Sequence, residues 1–309
     1  MQRRDFVKAA VIAPAAGAVS GARSMPKRTY RGDVQLSVIG FGGIVVVGQE
    51  QKDADRAVAE SYDLGVNYFD VAPSYGDGEA EVKLGNALRP CRKNVFLACK
   101  TQKRDAAGAR EELEQSLRRL HTEHFDLYQF HAVGSMKDVE QILAPGGAAE
   151  TFTKAREEGK VRFLGFSAHS AEAAIALMDR MELDSVLFPV NFVCWSEGGF
   201  GPQILQHARK KGLARLALKA LAQNAWPKGT NRARTKYPKC WYQPVEDREL
   251  ARQALRFTLS EEITAAIPPG DERIYQMALE LAPGFTPLQH SERNELLARA
   301  RGLEPIFRA

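Results

Sequence analysis

Cysteine is scarce in this chain: Cys91, Cys99, Cys194 and Cys240 are the only four in 309 residues, and no two form a Cys-x-x-Cys pair. That excludes a thiolate cage or a dense disulfide framework and leaves idle or buried thiols. A His-Glu-x-x-His helix is missing as well. His121-Thr-Glu-His124 reads as a solvated helix end, so no metal is expected. Gly40-Phe-Gly42-Gly43-Ile-Val45 opens like a dinucleotide loop but has Val45 where the third glycine belongs. The stretch from Gly43 to Glu50 has P-loop glycine spacing without the Lys and Ser/Thr. Any nucleotide must therefore be held by another architecture. Internal repeats, low-complexity segments and an apolar run long enough for a bilayer core of roughly 30 Å are also absent.

The net charge of +5 is not spread over the chain. Residues 1–28 hold Arg3, Arg4, Lys8, Arg23, Lys27 and Arg28 against Asp5, so the remainder is close to neutral. No basic stripe with interleaved aromatics follows, which argues against nucleic acid as a partner. The basic start precedes a short apolar run, Ala9 to Val19, and small residues at Ser20-Gly21-Ala22. That is the layout of a secretory leader over residues 1–22, too short for a stable membrane span. Arg3-Arg4-x-Phe6-x-Lys8 resembles the twin-arginine signal, an address read by an export receptor. A periplasmic or otherwise exported product is expected, and a cytoplasmic one if the leader is not used. Because twin-arginine systems move folded proteins, such a route would carry a non-covalent cofactor across.

With 44% hydrophobic and 26% charged residues, the chain has ordinary globular composition. Short β-branched and aromatic runs alternate with helix-period segments. Strands are predicted at Ser37–Phe41, Asn67–Val71, Val95–Cys99, Asp126–His131, Val161–Phe166, Ser185–Val190, Ala214–Leu218 and Ile263–Ile267. Between them, helices are predicted at Ala54–Leu64, Gly78–Leu88, Ala106–Leu120, Ala171–Met181, Pro202–Lys211, Val245–Leu259 and Glu272–Leu281. Leu113, Leu117 and Leu120 share one face, as a helix packed on a sheet requires. Asp105 and Ser170 are placed as N-caps. Strict alternation over this length predicts an α/β fold, a single (β/α)₈ TIM barrel over residues 30–309. Val34–Leu36 fits a small hairpin at the barrel bottom. Ala220–Pro244 is too long for a plain turn and is expected to be functional.

Three consecutive predicted strands end in polar residues. Asn67-Tyr-Phe-Asp70 ends in a carboxylate and is followed by Val71-Ala-Pro-Ser-Tyr75-Gly76; Val95 to Lys100 ends in an ammonium, and Asp126 to His131 in an imidazole. In a barrel these ends share one rim, where active sites are built. A phenol near pKa 10 is a poor acid unless its anion is stabilised. A buried Lys100 within reach of Tyr75 would lower that pKa, and Asp70 would keep Lys100 charged. His131 would orient a carbonyl, placing a proton donor where an alkoxide develops.

These residues, with Phe69-Asp70-x-Ala72-x-x-Tyr75-Gly76, Glu81 and Leu84-Gly85, resemble the aldo/keto reductase family from about Leu36 to Pro269. The resemblance implies an NAD(P)-dependent oxidoreductase moving hydride between a nicotinamide and a small carbonyl or alcohol, with Asp70, Tyr75, Lys100 and His131 catalytic. It implies cofactor contacts at Gly43, Ser167, Asn191, Lys219, Gly270 and Arg273. The chain also departs from the pattern. Ala168-His169 follows Ser167 where Asn is common, and Leu187 to Val190 lack a frequent glutamine. Leu218-Lys219-Ala220 stands where a tyrosine often stacks on the nicotinamide. Lys219 would then reach the pyrophosphate or the substrate, or be a solvated lysine. Pro269-Gly270 replaces a Lys-Ser pair that grips the NADP 2′-phosphate, Arg273-Ile274 matches the later part of that grip, and Asp271 and Glu272 oppose it. NADP is the expected cofactor and NAD its rival. The missing tyrosine also leaves room for a different reading, a nicotinamide-binding sensor or regulatory barrel with little turnover.

Overall fold

Along the central strands, side chains alternate between two environments with a period of two, as a sheet buried on both faces demands. Phe69, Leu97, Cys99, Tyr128 and Phe130 pack outward against helices, whereas Tyr68, Phe96, Ala98 and Leu127 fill a second cluster inside the sheet. The sheet belongs to a computed structural model that describes residues 24–309; the expected leader, residues 1–22, lies outside the described residues. The elements in chain order are β1 (Lys27–Arg31), β2 (Val34–Ser37), β3 (Phe41–Gly42), α1 (Gln51–Asp63), β4 (Tyr68–Asp70), α2 (Glu79–Leu88), β5 (Phe96–Thr101) and α3 (Ala106–Arg119). They continue with β6 (Phe125–Val133), α4 (Met136–Leu143), α5 (Ala148–Glu157), β7 (Val161–Ala168), α6 (Ala171–Arg180), β8 (Ser185–Pro189), α7 (Phe192–Ser196) and α8 (Pro202–Lys210). The last are β9 (Ala214–Leu218), β10 (Ala222–Asn224), β11 (Gln243–Pro244), α9 (Arg248–Ser260), β12 (Ala265–Ile267), α10 (Glu272–Leu281) and α11 (His290–Arg299).

The large sheet has eight strands in the order β12-β9-β8-β7-β6-β5-β4-β3. Its registers are parallel throughout. A parallel bridge from Ile39 to Ala266 joins the two ends. This is the (β/α)₈ TIM barrel expected from the alternation. The antiparallel hairpin of β1 and β2 contributes Tyr30 to the barrel interior, its hydroxyl donating to Ser185 Oγ at 2.9 Å.

The first barrel strand is shorter than predicted: β2 ends at Ser37 and β3 starts only at Phe41. Side chains take over the backbone groups at this joint. Ser37 N–H donates to Asn67 Oδ1 at 2.7 Å, and Ser37 Oγ donates to the Ile39 carbonyl at 2.7 Å. Asp105 and Ser170 cap α3 and α6 as expected. Two helices, α4 and α5, occupy a stretch where none was predicted. Each is under three turns long, and Pro145-Gly146-Gly147 separates them, so neither builds a long apolar period. In α2, Glu81 is fully buried and paired with Arg119 at 2.9 Å, and a Cβ on Gly85 would stand 2.5 Å from the Arg119 carbonyl oxygen. The Glu81 and Leu84-Gly85 signature thus fixes the close packing of α2 on the end of α3.

Candidate active site

The inward phase of β4, β5 and β6 continues upward into polar residues: Asp70 follows Tyr68, Lys100 follows Ala98, and Gln129 and His131 follow Leu127. Parallel register sets Asp70 beside Ala98 and Lys100 beside Gln129. Lys100, wholly buried, pairs with Asp70 Oδ1. The same ammonium donates to the Val71 carbonyl at 3.3 Å and to the Tyr75 hydroxyl at 3.4 Å. The other carboxylate oxygen of Asp70 accepts from the Tyr68 hydroxyl at 3.1 Å and from Gln129 Nε2 at 3.0 Å. Tyr75 reaches this group from a turn closed by its N–H on the Ala72 carbonyl at 3.0 Å. The chain then reverses at Gly76, whose φ of 63° favours glycine. His131 stands edge-on to Tyr75, with ring centroids 5.7 Å apart, and its buried Nδ1 has no partner among the described residues.

Electrostatics assign protonation states. Burial works against the Lys100 ammonium, but Asp70 and then Tyr75 reverse this and hold it charged. Tyr75 departs from expectation: Lys100 does pull its pKa down, yet burial outweighs that pull and leaves it above the ordinary phenol value. The phenol therefore keeps its proton through neutral pH. His131 is pushed well below the ordinary imidazole value by burial and by the Lys100 charge, so it is neutral and able to donate one N–H.

Asp70, Tyr75, Lys100 and His131 open onto a cavity of ≈ 240 Å³, whose wall includes Ser167, His169, Lys219, Trp241 and Gly270. The sequence profile of the aldo/keto reductase family matches residues 38–270. The chain belongs to the aldo/keto reductase family. An uncharacterized oxidoreductase of Bacillus subtilis is 24% identical over 271 residues, covering 79% of this chain and 86% of that protein. The methylglyoxal reductase of Escherichia coli is 34% identical over 142 residues, 45% of this chain and 48% of its own length. An aldo/keto reductase of Klebsiella pneumoniae, solved with NADP and acetate, superposes with a TM-score of 0.65 at 20% identity, covering 89% and 95% of the two chains.

In this aldo/keto reductase the six residues expected at the cofactor are not all placed alike. Ser167 is buried at the wall; its Oγ accepts from Ala132 N–H at 2.7 Å, which leaves the hydroxyl hydrogen available. Gly43 lies behind the lining residues Gly42 and Ile44, where a Cβ would stand 2.8 Å from Val71 Cγ2. A Cβ on Gly270 would meet Ile44 at 2.4 Å, so this stretch approaches as bare backbone. Lys219 lines the cavity. Asn191 is not among the lining residues; its Oδ1 accepts from Cys194 N–H at 2.8 Å and caps α7. Arg273 is also off the wall, held by Asp271 at 3.0 Å and by the Lys236 carbonyl. Residues that sequence reasoning missed are Tyr68 and Gln129 behind Asp70, and Phe307 near the far end of the chain, 4.7 Å from His169. Counting back in steps of two from Asp70 and His131 would have found the first two.

Proposed function

We propose that this oxidoreductase interconverts a small carbonyl compound and its alcohol with a dissociable nicotinamide dinucleotide, NADP in preference to NAD. The observation that carries the reading is the Tyr75 hydroxyl at a cavity rim, 3.4 Å from the Lys100 nitrogen and beside the His131 ring. The cavity wall suits the nicotinamide end: Ser167 has a hydroxyl hydrogen to give, Gly270 is bare backbone, and Leu218 and Ile267 supply apolar surface. When bound, reduced nicotinamide supplies a hydride to the carbonyl carbon. The chain's own residues do the rest. His131 donates an N–H to the carbonyl oxygen and orients it, and the Tyr75 hydroxyl gives its proton to that oxygen as it becomes an alkoxide. Lys100 stabilises the phenolate left behind, and Asp70 keeps Lys100 charged and in place. The K. pneumoniae relative solved with NADP and the methylglyoxal reductase of E. coli support cofactor and substrate class.

Tyr75→Phe is expected to abolish most NADPH consumption with an aldehyde panel while leaving the NADPH dissociation constant, read by fluorescence, nearly unchanged. Undiminished reduction by that variant would overturn the assignment. The sensor reading is not favoured, because a barrel that only binds dinucleotide has no need of a fully buried Asp70–Lys100 pair against Tyr75. We further propose that residues 1–22 direct export: Arg3→Lys with Arg4→Lys should leave the chain in the cytoplasmic fraction, and unchanged fractionation would refute this.

A further inference from the structure

Lys219 follows β9 on the cavity wall in left-handed backbone, φ 61°, a conformation that a residue with a Cβ rarely adopts. Its ammonium lies 5.7 Å from the Trp241 ring centroid and 5.3 Å from that of Phe307, between a residue of the long connection and one near residue 309. Among the described residues it has no carboxylate partner and no hydrogen-bond acceptor. Lys100, whose charge it feels, is committed to Asp70. The other titratable neighbours bring no negative charge: His131 and His169 are held neutral by burial, and burial pushes the Cys194 thiol up. The cavity therefore carries an uncompensated positive charge facing the reacting end, flanked by two aromatic faces that hold a cation. A partly dry cation without an anion is the counterpart of an anionic ligand.

We infer that the preferred substrates are carbonyl compounds that also carry a carboxylate, and that Lys219 is the group that recognises it. This rests on the carbonyl-reducing reading above. The competing source of an anion is the cofactor pyrophosphate. Lys219 lines the same cavity as Tyr75, His131 and His169, whereas Arg273, the arginine linked to the cofactor phosphate, is off that wall and paired with Asp271 at 3.0 Å. That favours the substrate. A second consequence is directional. Burial lowers Lys219 to about 8, so most of its charge is present at neutral pH and is lost as pH rises through that value. Tyr75, raised, and the two histidines, held low, keep their states across the same window.

The test uses the full chain with NADPH and matched substrates, succinate semialdehyde against butanal and 4-carboxybenzaldehyde against benzaldehyde. The acid of each pair should be favoured in kcat/KM by at least about tenfold, the worth of one charge-assisted hydrogen bond, mainly through KM. Lys219→Met should bring the ratio toward one, Lys219→Arg should restore it, and in the parent chain it should fade above pH 8. Calorimetric titration with succinate, which needs no turnover, should show weaker binding to Lys219→Met. Equal use of acid and neutral partners without succinate binding would overturn the inference. So would an unchanged ratio in Lys219→Met coupled with weakened NADPH binding, which would assign Lys219 to the cofactor. If no aldehyde is reduced, the functional reading fails, and the succinate titration still decides the role of Lys219.

Discussion

Asp70 shares its two oxygens among Lys100, Tyr68 and Gln129, so this one carboxylate locks three inward side chains from three neighbouring strands. Lys100→Met would strand Asp70 in an apolar setting, where breaking a buried ion pair costs roughly 3–5 kcal/mol; a lower unfolding midpoint should accompany lost activity. Gln129→Leu is gentler. It removes one hydrogen bond to a charged group, about 1.5–3 kcal/mol, and as a positioning residue it should lower kcat more than it raises KM. Replacement by Glu, which adds charge beside Asp70, should not rescue it, and an unchanged kcat in Gln129→Leu would show that Asp70 needs no such support. The protonation states give a pH prediction for a neutral substrate such as benzaldehyde. Tyr75, raised above the ordinary phenol value by burial, stays protonated through neutrality. Reduction should therefore be flat there, while alcohol oxidation, which needs the phenolate, should quicken as pH rises; parallel kcat/KM profiles in both directions check the sign. At this scale the tetrad was legible because charged residues at strand ends have no structural excuse. Tyr68 and Gln129 were not, since a tyrosine and a glutamine inside a strand look ordinary until the inward phase is fixed.

Helix starts carry the next layer of meaning. Asn191 was read as a cofactor residue from its place after β8, and the same place makes it the N-cap of α7; Asn serves both ends, and the sequence does not distinguish them. Strands and most helices were legible through their periods, while α4 and α5, broken apart by Pro145-Gly146-Gly147, and the five-residue α7 did not register. At α10, Asp271 accepts from the Arg273 backbone N–H at 3.1 Å and also binds the Arg273 guanidinium. A carboxylate thus occupies both the anion-favouring helix terminus and the arginine that the family resemblance links to a 2′-phosphate. Asp271→Asn keeps the cap, since Asn caps as well as Asp, but frees the charge. The ratio of kcat/KM for NADPH over NADH should rise by about tenfold, as one charge-assisted contact is released for phosphate. A ratio that does not move would mean that Arg273 takes no part in cofactor choice.

The connection from Ala220 to Pro244 was expected to be functional on length alone, and its role emerges only from the assembled molecule. It holds a small antiparallel pair, β10 with β11, and reaches over the cavity, where Lys239 Nζ donates to the Val45 carbonyl at 2.7 Å. The far end of the chain fastens it. Ala225 N–H donates to the Glu304 carbonyl at 3.0 Å, and Glu304 N–H donates to Asn224 Oδ1 at 2.6 Å. Phe307 packs on Phe200 at 5.5 Å and on Trp241 at 5.8 Å. The terminal helix of the described residues is α11, His290–Arg299. It packs on α7 and α9 with Leu296 buried, and the segment after it reaches the site. No sequence period links residues 225 and 304, so this closure was invisible before the barrel brought them together. Phe307→Ala should therefore loosen the strap more than the barrel. Phe307 is only partly buried, so the stability loss should fall below the about 3–5 kcal/mol of a core phenylalanine. Trypsin should nonetheless cut faster at the exposed Lys228, Arg232 and Arg234, and kcat/KM for carbonyl substrates should drop as the aromatic wall opens. Mass spectrometry of the fragments reads the first effect. Cleavage at the parent rate with full activity would show that the connection holds its place over the cavity without the chain's last residues.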